Sequence, residues 1–343
     1  MLDLRLQMVS RLVCAQGHPM SLVCLILSIV IFAKKSMRNS STTFLIALNL
    51  AEAYSVATLA IFQACSFEKK CSDTWLYNQF KLYSTTYLGI ASQRCVYVYN
   101  CLVAVQRCLV VAYPVKFKTN RVLNEPLAVC VFVLLLSLTL HAYIPVKYAV
   151  VSKNNSHSIT ESRLATSHVS LFNALTSTSM YLLMYTPLIL GTISNLVMCV
   201  ALRRHALNMR RSSATPGTSK RRDSQMSTGI LVSTFLFFTL SLPSNVNQLV
   251  SLHVDNYGAL KAEQYLYQTL SGAFVVVQVV RDLMIFVSFT CASPSFRRHL
   301  FNIVSLALVR RQSSDPKEVS QSPATETSQL SIIMETKYKA NHF

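Results

Sequence analysis

Acidic residues are scarce: Asp and Glu number 14 in 343 residues, and charged residues of both signs make up 13% of the chain. A soluble domain carries about a quarter charged residues. A long aqueous protein this poor in charge lacks the polar groups to cover its surface. Glycine occurs 7 times and tryptophan once, and no phosphate-cradling Gly-rich loop is present. Against these shortages stand 52% hydrophobic residues and a net charge of +18. The apolar content excludes a disordered protein. A nucleic-acid binder accounts for +18 but not for the apolar excess. A membrane protein whose basic residues gather on one side accounts for both.

A membrane helix needs about 20 mainly apolar residues to cross a hydrocarbon core roughly 30 Å thick. Seven stretches qualify: Leu12–Ala33, Thr42–Phe67, Leu82–Val105, Pro126–Val146, Tyr181–Leu202, Met226–Leu252 and Tyr265–Thr290. The pieces between them are too short for a soluble domain. Pro19, Pro187 and Pro243 fall inside spans, where neighbouring helices re-satisfy the carbonyls they free. Continuous apolar runs, without alternating ten-residue segments, argue against transmembrane strands. An odd number of spans disfavours an inverted-repeat transporter. The expected fold is an all-α seven-helix membrane bundle, with residues 1–11 outside, 12–305 forming the membrane domain and 306–343 a disordered tail.

Lys and Arg set the orientation. The stretches after spans one, three and five and the tail hold three, four, seven and seven of them, 21 of the 32. The opposite side holds nine, and Arg94 and Arg281 lie within spans. The positive-inside rule puts the N-terminus outside and the C-terminus in the cytosol. No cleavable signal peptide is visible, and the first span is expected to serve as an uncleaved anchor. Asn154-Asn155-Ser156 is a glycosylation acceptor in a loop this topology places outside. Asn39-Ser40-Ser41 also matches but falls on the cytosolic side, unused.

The third span ends Gln106-Arg107-Cys108, with Pro114 seven residues after the arginine. The fifth carries Pro187. The sixth reads Phe237-Phe238-Thr239-Leu240-Ser241-Leu242-Pro243, and the second Leu48-Asn49-Leu50-Ala51-Glu52. The seventh ends Asp282-Leu283-Met284-Ile285-Phe286, followed by Phe296-Arg297-Arg298-His299-Leu300-Phe301. In order and spacing these resemble the motifs of rhodopsin-like (class A) G-protein-coupled receptors over residues 12–305. The resemblance implies a receptor at the plasma membrane that is not an enzyme and carries no cofactor. Arg107, Gln106 and Pro114 would couple it to a heterotrimeric G protein. Phe237 and Pro243 would form the helix-six switch, and a short amphipathic helix eight would lie on the membrane lipid. A Ser/Thr-rich tail from Ser313 to Ser331 would serve receptor kinases and arrestin, or be merely solvated.

The departures from the family are specific. Gln106 stands for the acid that holds the arginine at rest, and a neutral amide should hold it less strongly. Ser241 replaces a tryptophan, and Leu283 a proline. The family's disulfide from helix three to the second outer loop cannot form, since its expected position is Leu82 and residues 147–181 contain no cysteine. Cys65 and Cys71 bracket the preceding outer loop, and pairing and free thiols are both open. The amine receptors' aspartate is Gly89 here, and the retinal lysine of opsins is absent from span seven. An orphan or odorant-type member fits best.

Charged groups inside spans are functional candidates because burying them unpaired is costly. Glu52 and Asp282 read either as a polar pocket, which in the family binds a sodium ion (Na+), or as a hydrogen-bonded pair without an ion. Arg94 lies 13 residues before Arg107, about 20 Å toward the outside. It pairs with an anionic ligand group, with Asp282, or with a neighbouring helix. Gln93, Tyr97, Tyr181, Tyr185, Asn245, Gln248 and Gln278 complete a candidate ligand set, although any single residue of this kind more often serves packing or a helix–helix hydrogen bond than a ligand. His18 and His141 are isolated and expected to be satisfied core residues. Two rivals to a signalling receptor remain: a seven-span transporter or channel, and a receptor-shaped protein that no longer responds to ligand.

Overall fold

The computed structural model describes residues 2–37, 40–66, 74–112, 125–153, 156–211, 218–254, 256–258 and 262–313. They fall into two units that divide after Arg297. The first holds seven long helices among the described residues. These are α1 (Leu2–Phe32), α2 (Ser40–Ser66), α3 (Trp75–Ala112), α4 (Pro126–His141), α5 (Val169–Met180 continued by Tyr181–Tyr185 and Thr186–Arg211), α6 (Thr218–His253) and α7 (Gln264–Ala292). A further helix, α8 (Pro294–Ser313), begins in the first unit and ends in the second. Six helices are long and apolar enough to cross a membrane, and α1 adds the apolar stretch Gly17–Phe32. The protein is a multi-pass seven-helix membrane bundle.

The helices outrun the apolar spans. α1 starts at Leu2 and not near residue 12, because Leu2, Leu4, Leu6 and Met8 are good helix formers and no Gly or Pro interrupts before Gly17. α3 starts at Trp75, where Thr74 caps it by accepting from the Tyr77 amide at 3.2 Å. α5 starts at Val169, twelve residues before its apolar run, in a Ser/Thr-rich stretch that hydropathy overlooks.

Two segments widen to π geometry, Lys81–Leu88 in α3 and Tyr181–Tyr185 in α5. In each a threonine hydroxyl takes a carbonyl five residues back: Thr86 donates to Lys81 O and Thr186 to Tyr181 O, both at 2.9 Å. The second widening directly precedes Pro187, whose ring has no N–H and crowds the carbonyl four residues back.

Between α4 and α5 the chain forms a short hairpin. Tyr148–Lys153 (β1) and Ser156–Glu161 (β2) pair antiparallel, Tyr148 opposite Glu161. With no disulfide available, Asn78 near the start of α3 reaches this hairpin by donating to His157 O at 3.0 Å. At the same end Asn247 of α6 donates to Ser271 of α7 at 3.1 Å and accepts from Tyr257.

The core lies where α3 meets its neighbours. Tyr99 donates to Cys130 O at 2.8 Å and Ser137 to Ala91 O at 2.8 Å, joining α3 and α4. α1 approaches α7 closely: a Cβ on Gly17 would fall 2.6 Å from Val279 Cγ1. At the Arg107 end, Phe32 packs on Phe289 and Phe296 with ring centroids 5.2 and 5.5 Å apart. The outward faces of α4 and α5 are apolar, with Leu127, Phe132, Leu135, Ile189, Ile193 and Leu196 exposed, as a lipid-facing surface requires.

Candidate functional site

Three of the four charged residues inside the spans converge. Arg281 on α7 donates through Nε and Nη2 to Asp282 Oδ1 at 3.0 and 2.8 Å, and through Nη2 also to Glu52 Oε1 of α2. Its Nη1 donates to Ser241 Oγ of α6 at 3.0 Å. The guanidinium lies over the Phe237 ring, 4.7 Å from its centroid. Adjacent helix residues point about 100° apart, so Arg281 and Asp282 do not face each other by position. The length and fork of the arginine let it fold back. Glu52, Arg281 and Asp282 are all buried, so the guanidinium links α2, α6 and α7 at membrane depth.

Asp282 is therefore not the partner of Arg94. Arg94 is 6% exposed and donates to Gln248 Oε1 of α6 at 3.2 Å and to the Met184 sulfur of α5. Its Nε is buried without a hydrogen-bond partner. No acid lies within ion-pair distance of it among the described residues. Of the expected alternatives to a ligand, the neighbouring-helix bond is the one present. Beside it Tyr97 donates to Asn245 Oδ1 at 2.7 Å and Tyr185 to Asn245 O at 3.0 Å. The Tyr97 and Phe237 rings meet edge to face at 5.3 Å, which connects this cluster to the Arg281 group. Tyr181 is half exposed and pairs with His253 Nε2 at 3.1 Å.

On the other side of α3 lies a cavity of about 160 Å³ between α1, α2, α3 and α7. Gln93, Tyr97 and Gln278 line it, with Glu52, Arg281 and Asp282. The expected ligand residues thus divide into two groups that share Tyr97. Arg94, Tyr185, Asn245 and Gln248 face α5 and α6, while Gln93 and Gln278 face the cavity.

His18 also lines the cavity. It was expected to be satisfied, but it is 4% exposed and both ring nitrogens lack a partner. Thr85 Oγ1 of α3, also lining the cavity, is likewise unpartnered. Such groups call for water or a ligand. The sequence carried no signal for His18 beyond its presence in a span. His141 behaves as expected, its Nδ1 paired with Ser137 O at 2.8 Å.

At the opposite end of α3, Gln106 is fully buried and bonded to α2. Its Nε2 donates to Ser40 Oγ and its Oε1 accepts from Ser41 Oγ, both at 2.6 Å. Gln106 thus clamps α3 to α2. Arg107 itself is buried. Pro243 sits exposed within α6. Cys65 is half buried and forms no disulfide with a described residue. Cys71, Pro114 and Asn154 lie outside the described residues. No group of three or more His, Cys, Asp or Glu suited to a metal ion occurs among the described residues.

The helical membrane bundle has a polar interior toward the hairpin end, a buried arginine at the other end of α3, and α6 tied to both α3 and α7. The family model described as 7 transmembrane receptor (rhodopsin family) matches residues 23–316. The chain belongs to that family, whose members are receptors that act through G proteins in general. No curated protein matches the chain.

Proposed function

We propose that this chain transduces an extracellular ligand bearing an anionic group to a heterotrimeric G protein, and that Arg94 receives that group. One observation carries the reading: a buried guanidinium whose partners are an amide and a thioether, with one nitrogen unbonded. A buried charge without a counter-charge is costly by several kcal/mol, so the site favours an incoming carboxylate, sulfate or phosphate.

Binding would compete with Gln248 for the guanidinium and loosen α6 from α3. α6 would then swing outward about Pro243, and Arg107 with the basic stretch between α5 and α6 would engage the G protein. The ligand acts only through its differential affinity for the two arrangements. On this reading the receptor sits in the plasma membrane with its N-terminus outside and is glycosylated at Asn154. Its Ser/Thr-rich tail is open to receptor kinases and arrestin. The departures at Gln106, Ser241 and Leu283 favour a chemosensory, odorant-type role.

The test is nucleotide exchange on a panel of G proteins, driven by a library of anionic, neutral and cationic small molecules. Anionic agonists should lose at least about tenfold in potency with Arg94→Gln, equivalent to about 1.4 kcal/mol. Agonists that are all neutral or cationic, or an unchanged dose response, would sink the proposal.

A further inference from the structure

The resemblance to rhodopsin-like receptors implies a sodium ion at Glu52 and Asp282, but the residues present do not fit one. The Arg281 guanidinium already bonds both carboxylates, Glu52 Oε1 and Asp282 Oδ1. Each of its three nitrogens has a partner, the third being Ser241 Oγ. Its face is covered by Phe237. The guanidinium takes one oxygen of each carboxylate, and a sodium ion on the others would stand beside a like charge in a buried site where such repulsion is strong. Two carboxylates and one guanidinium sum to a formal −1, so one of the two acid charges is already balanced without any ion.

We propose that the counter-cation of this acid pair is Arg281 itself, and that the receptor is consequently indifferent to sodium. A tethered cation sits at its site at a fixed, high effective concentration. Unlike a free ion, it also carries a helix with it. Through Ser241 and Phe237 the same guanidinium holds α6 against α2 and α7, so Arg281 is a positioning residue for α6. This inference rests on the fold and the triad, and on neither a ligand nor a G protein.

The experiment is thermal unfolding of the full chain in detergent micelles, in sodium chloride against choline chloride at the same ionic strength. The wild type should melt at the same temperature in both salts, to within about 1 °C. Arg281→Ser leaves two facing carboxylates, and sodium should then raise its midpoint by about 3 °C or more. Glu52→Gln/Arg281→Ser should lose that gain, because the site needs both acids. Arg281→Lys keeps a cation and should stay indifferent, and it serves where Arg281→Ser gives too little folded receptor. Sodium stabilisation of the wild type or of Arg281→Lys overturns the proposal. So does a folded Arg281→Ser that ignores sodium.

Discussion

At Gln106 a neutral amide does two jobs, donating to Ser40 and accepting from Ser41 at the first turn of α2. Replacing it with Ala would leave the buried Ser41 hydroxyl without its acceptor, a loss of roughly 1–3 kcal/mol. Gln106→Ala should therefore lower the melting temperature clearly, and Ser41→Ala by less. A melt unchanged in Gln106→Ala would show that the clamp does not contribute. The sequence showed Gln106 to be exceptional, since an acid is expected before the arginine. It did not show the partner, because Ser40 and Ser41 lie 66 and 65 residues away on another helix. The intramembrane charges teach the same lesson. Glu52, Arg94, Arg281 and Asp282 were all legible as candidates, but the pairing of Arg281 with both acids, and the lack of an acid beside Arg94 among the described residues, follow from side-chain reach and helix rotation. His18 was legible only as one more histidine.

Among the elements, α5 and α6 meet closely at Gly191. A Cβ there would lie 2.2 Å from Phe238 Cζ and 2.4 Å from Cε2. Nearby, Thr234 of α6 donates to Asn195 of α5 at 2.8 Å. Gly191→Ala should force the phenyl ring or the helix aside and destabilise the receptor by about 1–3 kcal/mol. Gly191→Ala/Phe238→Leu should recover part of the loss in the same melting assay; a double variant worse than the single would point to another cause. The spans that contain these residues were legible from apolar run length. Their true ends were not, since hydropathy reports the lipid-buried part of a helix and not its capped or polar turns. The β1–β2 hairpin went unforeseen for a related reason: it is short, polar and held by Asn78 from a distant part of the chain.

For the whole molecule, the distribution of 32 basic residues makes a prediction about topology. With 21 of them on one side, an N-terminal epitope should be reached by antibody on intact cells and a C-terminal one only after permeabilisation. Asn154→Gln should remove a glycan, seen as a gain in electrophoretic mobility. A C-terminus exposed on intact cells would reverse the assignment. The seven-helix architecture and its family were legible because the motifs recur at ordered positions along the chain, and the matched region, residues 23–316, covers most of it.

By itself the sequence determined how many times the chain crosses the membrane, which helices carry charge, and which family it joins. Each of these depends on local composition or on order along the chain, and a run of about 20 apolar residues needs no partner to declare itself. Tertiary structure alone decided which polar groups meet. It brought Arg281 between Glu52 and Asp282, left Arg94 without an acid among the described residues, clamped Gln106 to α2 and turned His18 into a cavity. The reason is geometric. A contact between helices depends on the rotation of each about its axis and on approaches of a few ångströms, set jointly by residues such as Gly17 and Gly191 with their opposite neighbours.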